Sequence, residues 1–126
     1  MKILNLTQHL ATEEQLAVGV VDLSEEDSLI LKKILTFDEP PSYAEMMEKA
    51  YELVYLVQDH GMGKVMIGGA PWFMGPLETA LSHYHISFCY SFSKRISVDL
   101  PNGEKISKFK HLCFVPKEKG LKNDIL

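Results

Sequence analysis

The sequence predicts an α/β fold: a single Rossmann-like domain with a mainly parallel sheet, flanking helices and a C-terminal β-hairpin. Three observations predict it. An apolar strand signal at Lys2-Ile3-Leu4-Asn5-Leu6 runs through a short polar loop into a helix start at Thr12, the opening of an α/β unit rather than of a helical bundle. The run Lys64-Val65-Met66-Ile67 is apolar without alternation and bounded by glycines, as in a buried parallel strand. Pro101-Asn102-Gly103-Glu104 separates two further strand signals and reads as a hairpin turn. A chain of 126 residues, 46% apolar and 24% charged, accommodates one such domain, here taken as residues 1–116 with a tail over 117–126.

The elements follow in order. Thr12-Glu13-Glu14-Gln15 has the form of a capping box, in which hydroxyl and amide side chains satisfy each other's backbone N–H and carboxylates face the positive helix end. Gly19 ends that helix, and Val20–Leu23 is a short extended stretch. Ser24 caps an acidic turn and a helix to Leu35, which Thr36 to Pro41 breaks. Ser42-Tyr43-Ala44-Glu45 is a second capping box. It opens the longest helix, about Tyr43 to Asp59, with Met46, Met47, Ala50, Leu53, Val54 and Val57 on one face. His60 to Gly63 supplies the stop. Beyond Ile67, a loop is expected over Gly68–Gly75, then a helix from Pro76 to Tyr84. Ile86–Phe92, Ile96–Leu100, Lys105–Phe109 and Leu112–Val115 are the remaining strands.

The net charge of −4 hides an asymmetry. Residues 1–60 carry a balance of −8 and residues 61–126 one of +4. The total argues against binding to long nucleic acid or an anionic membrane, while the second half can supply cations to a small phosphate ligand. Cys89 and Cys113 lie in apolar strands and read as buried reduced thiols. The first residues do not form an apolar leader and no apolar run reaches the ~18 residues of a membrane span, so a cytoplasmic location is expected.

Ligands of open parallel sheets bind beyond the carboxyl ends of the strands, and three segments follow predicted strands here: Thr7-Gln8-His9, Gly68 to Gly75 and Ser91 to Arg95. Thr7-Gln8-His9, with Thr12 just behind, offers hydroxyl, amide and imidazole groups ahead of a helix N-terminus, where anions are favoured. His9 is a candidate general acid or phosphate donor. Gly68-Gly69-Ala70-Pro71-Trp72 lets a ligand approach the backbone and sets a large apolar surface beside it. Trp72, Phe73 and Met74 are open to three readings: core, stacking platform or interface. Ser93-Lys94-Arg95 gives a hydroxyl and two cations suited to a phosphodiester. The glycine pair is neither a Walker loop nor a dinucleotide fingerprint, since their defining residues are missing. Glu78, shortly after it, is a candidate for glycosidic chemistry. His83, His85 and His111 show no metal-site spacing and read as surface or satisfied histidines; His60 suits a helix C-terminus.

The order of these features resembles the small CRISPR-associated Rossmann-like proteins, related to the CARF sensor domains and including ring nucleases. The segment Thr7-Gln8-His9-Leu10-Ala11-Thr12-Glu13-Glu14-Gln15 carries the resemblance, with Phe37-Asp38 before prolines and an amphipathic helix. The resemblance implies a homodimer that binds a cyclic oligoadenylate, or another small nucleotide, across its two-fold axis. It implies ring opening by 2′-OH attack on the 3′-phosphodiester, with no cofactor and no metal. Thr7, Gln8 and His9 would meet the ligand, Gly68 to Pro71 its backbone, and Ser93, Lys94 and Arg95 its phosphates, with His9 and Lys94 in the catalytic roles. Two alternatives from other classes are a nucleoside or nucleotide N-glycosidase using Glu78 and a non-catalytic sensor or partner-binding module.

Overall fold

The computed structural model describes residues 2–117. Strand β1 (Ile3–Asn5) leads through a polar loop to α1 (Glu13–Ala17) and then to β2 (Val20–Val21). Helices α2 (Glu25–Leu35) and α3 (Tyr43–Asp59) precede β3 (Lys64–Met66). Helix α4 (Pro71–His83) connects to the long strands β4 (Ser87–Asp99) and β5 (Lys105–Val115). The sheet order is β2-β1-β3-β4-β5; β2, β1, β3 and β4 are parallel neighbours, and β5 is antiparallel to β4.

This order reverses direction at β1. The chain steps from β1 to β2 on one side, then returns past β1 to β3 and β4 on the other. Right-handed crossovers place the helices of opposite steps on opposite faces, and the packing follows. Leu4, Leu6, Val65 and Ile67 pack with the buried sides of α2, α3 and α4 in the main core. Ile3, Val20, Met66 and Cys89, the alternate residues of the same strands, form a smaller cluster against Ala11 and Phe114 on the face carrying α1. The reversal opens a crevice between β1 and β3, the switch point where open α/β sheets take ligands.

Local chemistry sets the helix starts. Both halves of the Thr12–Gln15 capping box form. Ser24 accepts from the Asp27 amide, and Ser42 from the Glu45 amide. The second box closes only halfway, because the Ser42 hydroxyl also bonds the Glu45 carboxylate. Gly61 adopts φ +65° just past α3, and His60 ties that helix end to Asp27 of α2 at 3.0 Å. Cys89 and Cys113 are buried and neither is in a disulfide, as expected.

Three boundaries differ from the sequence reading. Helix α4 begins at Pro71, not Pro76, so Trp72 to Gly75 are helical and Pro76 lies inside the helix. Burial decides this: Phe73 and Met74 enter the core, and a helix projects both while keeping its backbone bonded. The strands expected on either side of Ser93-Lys94-Arg95 are one continuous strand, β4, and the two expected after the turn are β5. A bulge at Leu112 absorbs the irregularity, since Phe92 pairs with Cys113 and Ser93 with His111. The hairpin turn forms where expected, with the Gly103 amide donating to Leu100 and Gly103 at φ +86°. Among the described residues no helix is long and apolar enough to cross a membrane. Most of the expected tail lies outside the described residues.

Candidate functional site

A cleft of about 580 Å³ lies at the carboxyl ends of β1, β3 and β4. Thr7, Gln8, His9, Leu10, Thr12 and Gln15 form one wall, Met66 to Gly69 the floor, and Tyr90, Ser91, Ser93 and Phe109 the other wall. The second wall exists because β4 outruns β3. Only Ser87 to Cys89 pair with β3, after which β4 and β5 continue as a two-stranded ribbon beyond the sheet.

Asn5, the last residue of β1, shapes the first wall. It is buried, and its Nδ2 donates to the His9 carbonyl and to Asp22 Oδ1, each at 2.8 Å. Its Oδ1 accepts from the Thr7 amide at 3.0 Å and the Thr7 hydroxyl at 2.7 Å. Asp22, just after β2, also accepts from the Ala11 amide at 3.0 Å. The loop is therefore held by its main chain, which leaves the His9 imidazole outside this network and on the cleft wall. A buried amide meeting donors and acceptors on both ends is costly to replace.

The floor is open because Gly68 and Gly69 carry no side chains. A Cβ at Gly68 would lie 3.6 Å from the Thr7 methyl, and Gly69 sits at φ +144°, a conformation L side chains rarely adopt. The start of α4 follows directly, so its positive end adjoins the cleft.

On the far wall the Tyr90 hydroxyl donates to Glu78 Oε2 of α4 at 2.5 Å. Burial first, then this carboxylate, pushes the Tyr90 hydroxyl far above its usual pKa. Ser91 Oγ lies 2.6 Å from His111 Nδ1, 3.0 Å from Ser93 Oγ and 3.2 Å from Gln15 Nε2. Phe109 is 69% exposed at the rim, with the Arg95 guanidinium 5.5 Å from its ring centre.

Of the residues singled out from sequence, the structure brings Thr7, Gln8, His9, Thr12, Gly68, Gly69 and Ser93 together on this cleft. Arg95 reaches its rim through Phe109. Ala70 and Pro71 follow the floor at the helix start. Lys94 and Trp72 are not cleft residues. Lys94 pairs across the ribbon with Lys110, and strand alternation turns it to the face opposite Ser93 and Arg95. Trp72 stacks edge-on against Phe37 at 4.8 Å in a separate groove with Pro40, Pro41 and Met46. Glu78 reaches the cleft only through Tyr90. Sequence reasoning missed Asn5, Gln15, Tyr90, Phe109 and His111, and it placed Ser91 at the start of the third segment without giving it a role. Gln15 was legible as a capping residue, but its bond to Ser91 spans 76 positions and has no local signal. Among the described residues no group of three or more His, Cys, Asp or Glu side chains is arranged to hold a metal ion.

Fold and site together define a mainly parallel α/β protein with a ligand-sized cleft at its strand ends, where polar side chains stand among apolar ones. Residues 1–115 match the model described as the "Uncharacterized protein MJ1673 family", and the chain belongs to that family. No curated protein and no solved structure matches it.

Proposed function

We propose that this chain is a Rossmann-like protein of the CARF-related kind that binds a cyclic oligoadenylate across a homodimer. We propose further that it opens the ring by 2′-OH attack on the phosphodiester, in the CRISPR antiviral signalling role that the sequence resemblance implies. The observation that carries the reading is the convergence of Thr7-Gln8-His9, Gly68-Gly69, Ser91 and Ser93 on one cleft. These groups suit a phosphate and ribose: hydroxyls, an amide and an imidazole on fixed backbone, above a floor that backbone can approach. Tyr90, Phe109 and Arg95 add aromatic and cationic surface for a base and its phosphate. The volume is within the range of single small-ligand sites, so a cyclic oligonucleotide would need a second copy of the cleft.

The attacking hydroxyl belongs to the ligand in this reaction, so the protein's work is alignment and charge stabilisation. His9 would donate to the phosphate as charge develops on it. The Lys94 role implied by the resemblance is set aside, because Lys94 faces away from the cleft. A glycosidic reaction would need the Glu78 carboxylate in the cleft, and that carboxylate is engaged by Tyr90.

Incubating the purified protein with cyclic tetra-adenylate in EDTA and resolving the products by chromatography tests the reading. Linear products that fall by about 10²-fold or more in His9→Ala are expected. Free adenine would favour the glycosidase, and binding without turnover a sensor. Absence of binding would end the nucleotide reading. In size exclusion the protein should elute as a dimer.

A further inference from the structure

The bulge in β5 has a consequence at the cleft. Before it, β4 and β5 pair so that Phe92 faces Cys113; after it, Ser93 faces His111. Were Leu112 paired with Ser93, continuing the Phe92–Cys113 register, His111 would lie opposite Lys94, on the ribbon face turned away from the cleft. The bulge leaves Leu112 out of the pairing and sets His111 opposite Ser93, with Nδ1 at 2.6 Å from Ser91 Oγ.

The hydroxyl it meets is already oriented. Gln15 Oε1 accepts from the Thr12 amide at 3.0 Å in the capping box, which turns Nε2 toward Ser91 Oγ at 3.2 Å. Ser91 thus accepts one hydrogen bond from Gln15 and has a single proton to give. With the His111 proton on Nε2, Nδ1 is the nearest acceptor, with Ser93 Oγ next at 3.0 Å. His111 itself is 1% exposed, its ring 4.7 Å from that of Phe114. Ser91 lines the cleft, so it is the contact between the buried imidazole and a ligand.

We infer that Ser91 and His111 form the proton relay for ring opening, an inference that rests on the function proposed above. The ligand's 2′-OH passes its proton to Ser91 Oγ as Ser91 passes its own to His111 Nδ1. The 2′-oxygen bonds to phosphorus, and the bond from phosphorus to the 5′-oxygen of the next nucleotide breaks. His111 then returns a proton through Ser91 to that departing oxygen. The products are a 2′,3′-cyclic phosphate and a 5′-hydroxyl, with no net change in protons or electrons. Ser91 is the group that touches the ligand; His111 acts through it.

The test uses the full chain and cyclic tetra-adenylate in EDTA, with kcat and KM measured separately for wild type, Ser91→Ala and His111→Gly. Calorimetric binding and a thermal melt accompany each variant. Ser91→Ala is expected to lower kcat by about 10²-fold or more with KM little changed. His111→Gly should lose a similar factor, part of it restored by added imidazole, which a purely structural histidine would not show. Ser91→Ala at near wild-type kcat, or a change confined to KM, overturns the relay. A folded His111→Gly that imidazole does not restore overturns it too. If His111→Gly does not fold, Ser91→Ala, which removes one oxygen from a half-buried position, decides alone. A wild-type protein that binds the ligand without opening it removes the ring-opening reading itself, an outcome distinct from active variants.

Discussion

Two cavities of nearly equal size, about 580 and 520 Å³, differ in how their polar groups are held. The strand-end cleft sets hydroxyls, amides and glycine backbone among Leu10, Met66, Ile67 and Phe109, and its polar groups hold one another in place. The second groove, between the α2–α3 connection and the start of α4, is walled by Phe37, Pro40, Pro41, Met46 and Trp72 with Asp38 and Glu39. Packing shapes it: Phe37 meets Trp72 and Phe73 edge-on, and Lys49 Nζ lies 4.1 Å from the Phe37 ring centre. Volume therefore does not separate the two cavities. Fixed polar groups do, and parallel strand ends supply them because several chain turns arrive there together.

The sharpest way to break the comparison is Asn5→Ala. It leaves the Thr7 amide without its partner and removes one of the two hydrogen bonds accepted by Asp22 and by the His9 carbonyl, so a loss of about 1–3 kcal/mol is expected in urea unfolding. Affinity for cyclic tetra-adenylate should fall with it, since the loop carrying Gln8 and His9 loses its anchor. The matching change in the groove is Trp72→Ala. Trp72 is 51% exposed, and losing its edge contact with Phe37 should cost about 0.5–1.5 kcal/mol. Ligand affinity, measured by calorimetry, should not move. A Trp72 variant that loses the ligand would show that the two cavities are one functional unit.

The smallest effect concerns Tyr90. Its pKa is raised by burial and by the Glu78 carboxylate, so the folded protein keeps a proton that the unfolded chain loses near pH 10. Unfolding then releases that proton, and stability declines as pH rises above about 10. Tyr90→Phe has no such titration, so its stability should fall less steeply over that alkaline range in chemical denaturation measured against pH.

Much of the fold was legible because its signals are local. Thr12, Ser24 and Ser42 cap helices through residues three positions away. Gly103 turns the hairpin by its own φ. Half of the cleft was legible for the same reason: Thr7 to His9 and Gly68-Gly69 stand directly after apolar strand signals. The helix start at Pro71 was not, because a loop reading suits Pro71 and Pro76 equally until Phe73 and Met74 have a core to enter. Lys94 and Ser93 looked equivalent in a turn. In a continuous strand they take opposite faces, and only Ser93 meets the cleft.

The sequence by itself determined the alternation of strand and helix, the capped helix starts, the hairpin and two of the three segments at the cleft. Each depends on residues within a few positions of one another, where backbone hydrogen bonding and φ preferences act. Only the tertiary structure decided the strand order that opens the cleft between β1 and β3, the face on which Lys94 lies, and the meeting of Gln15, Ser91 and His111. Those depend on pairing register, and register is a property of two strands at once. Leaving Leu112 out of the pairing sets His111 opposite Ser93 rather than Lys94, and no local pattern in β5 announces it.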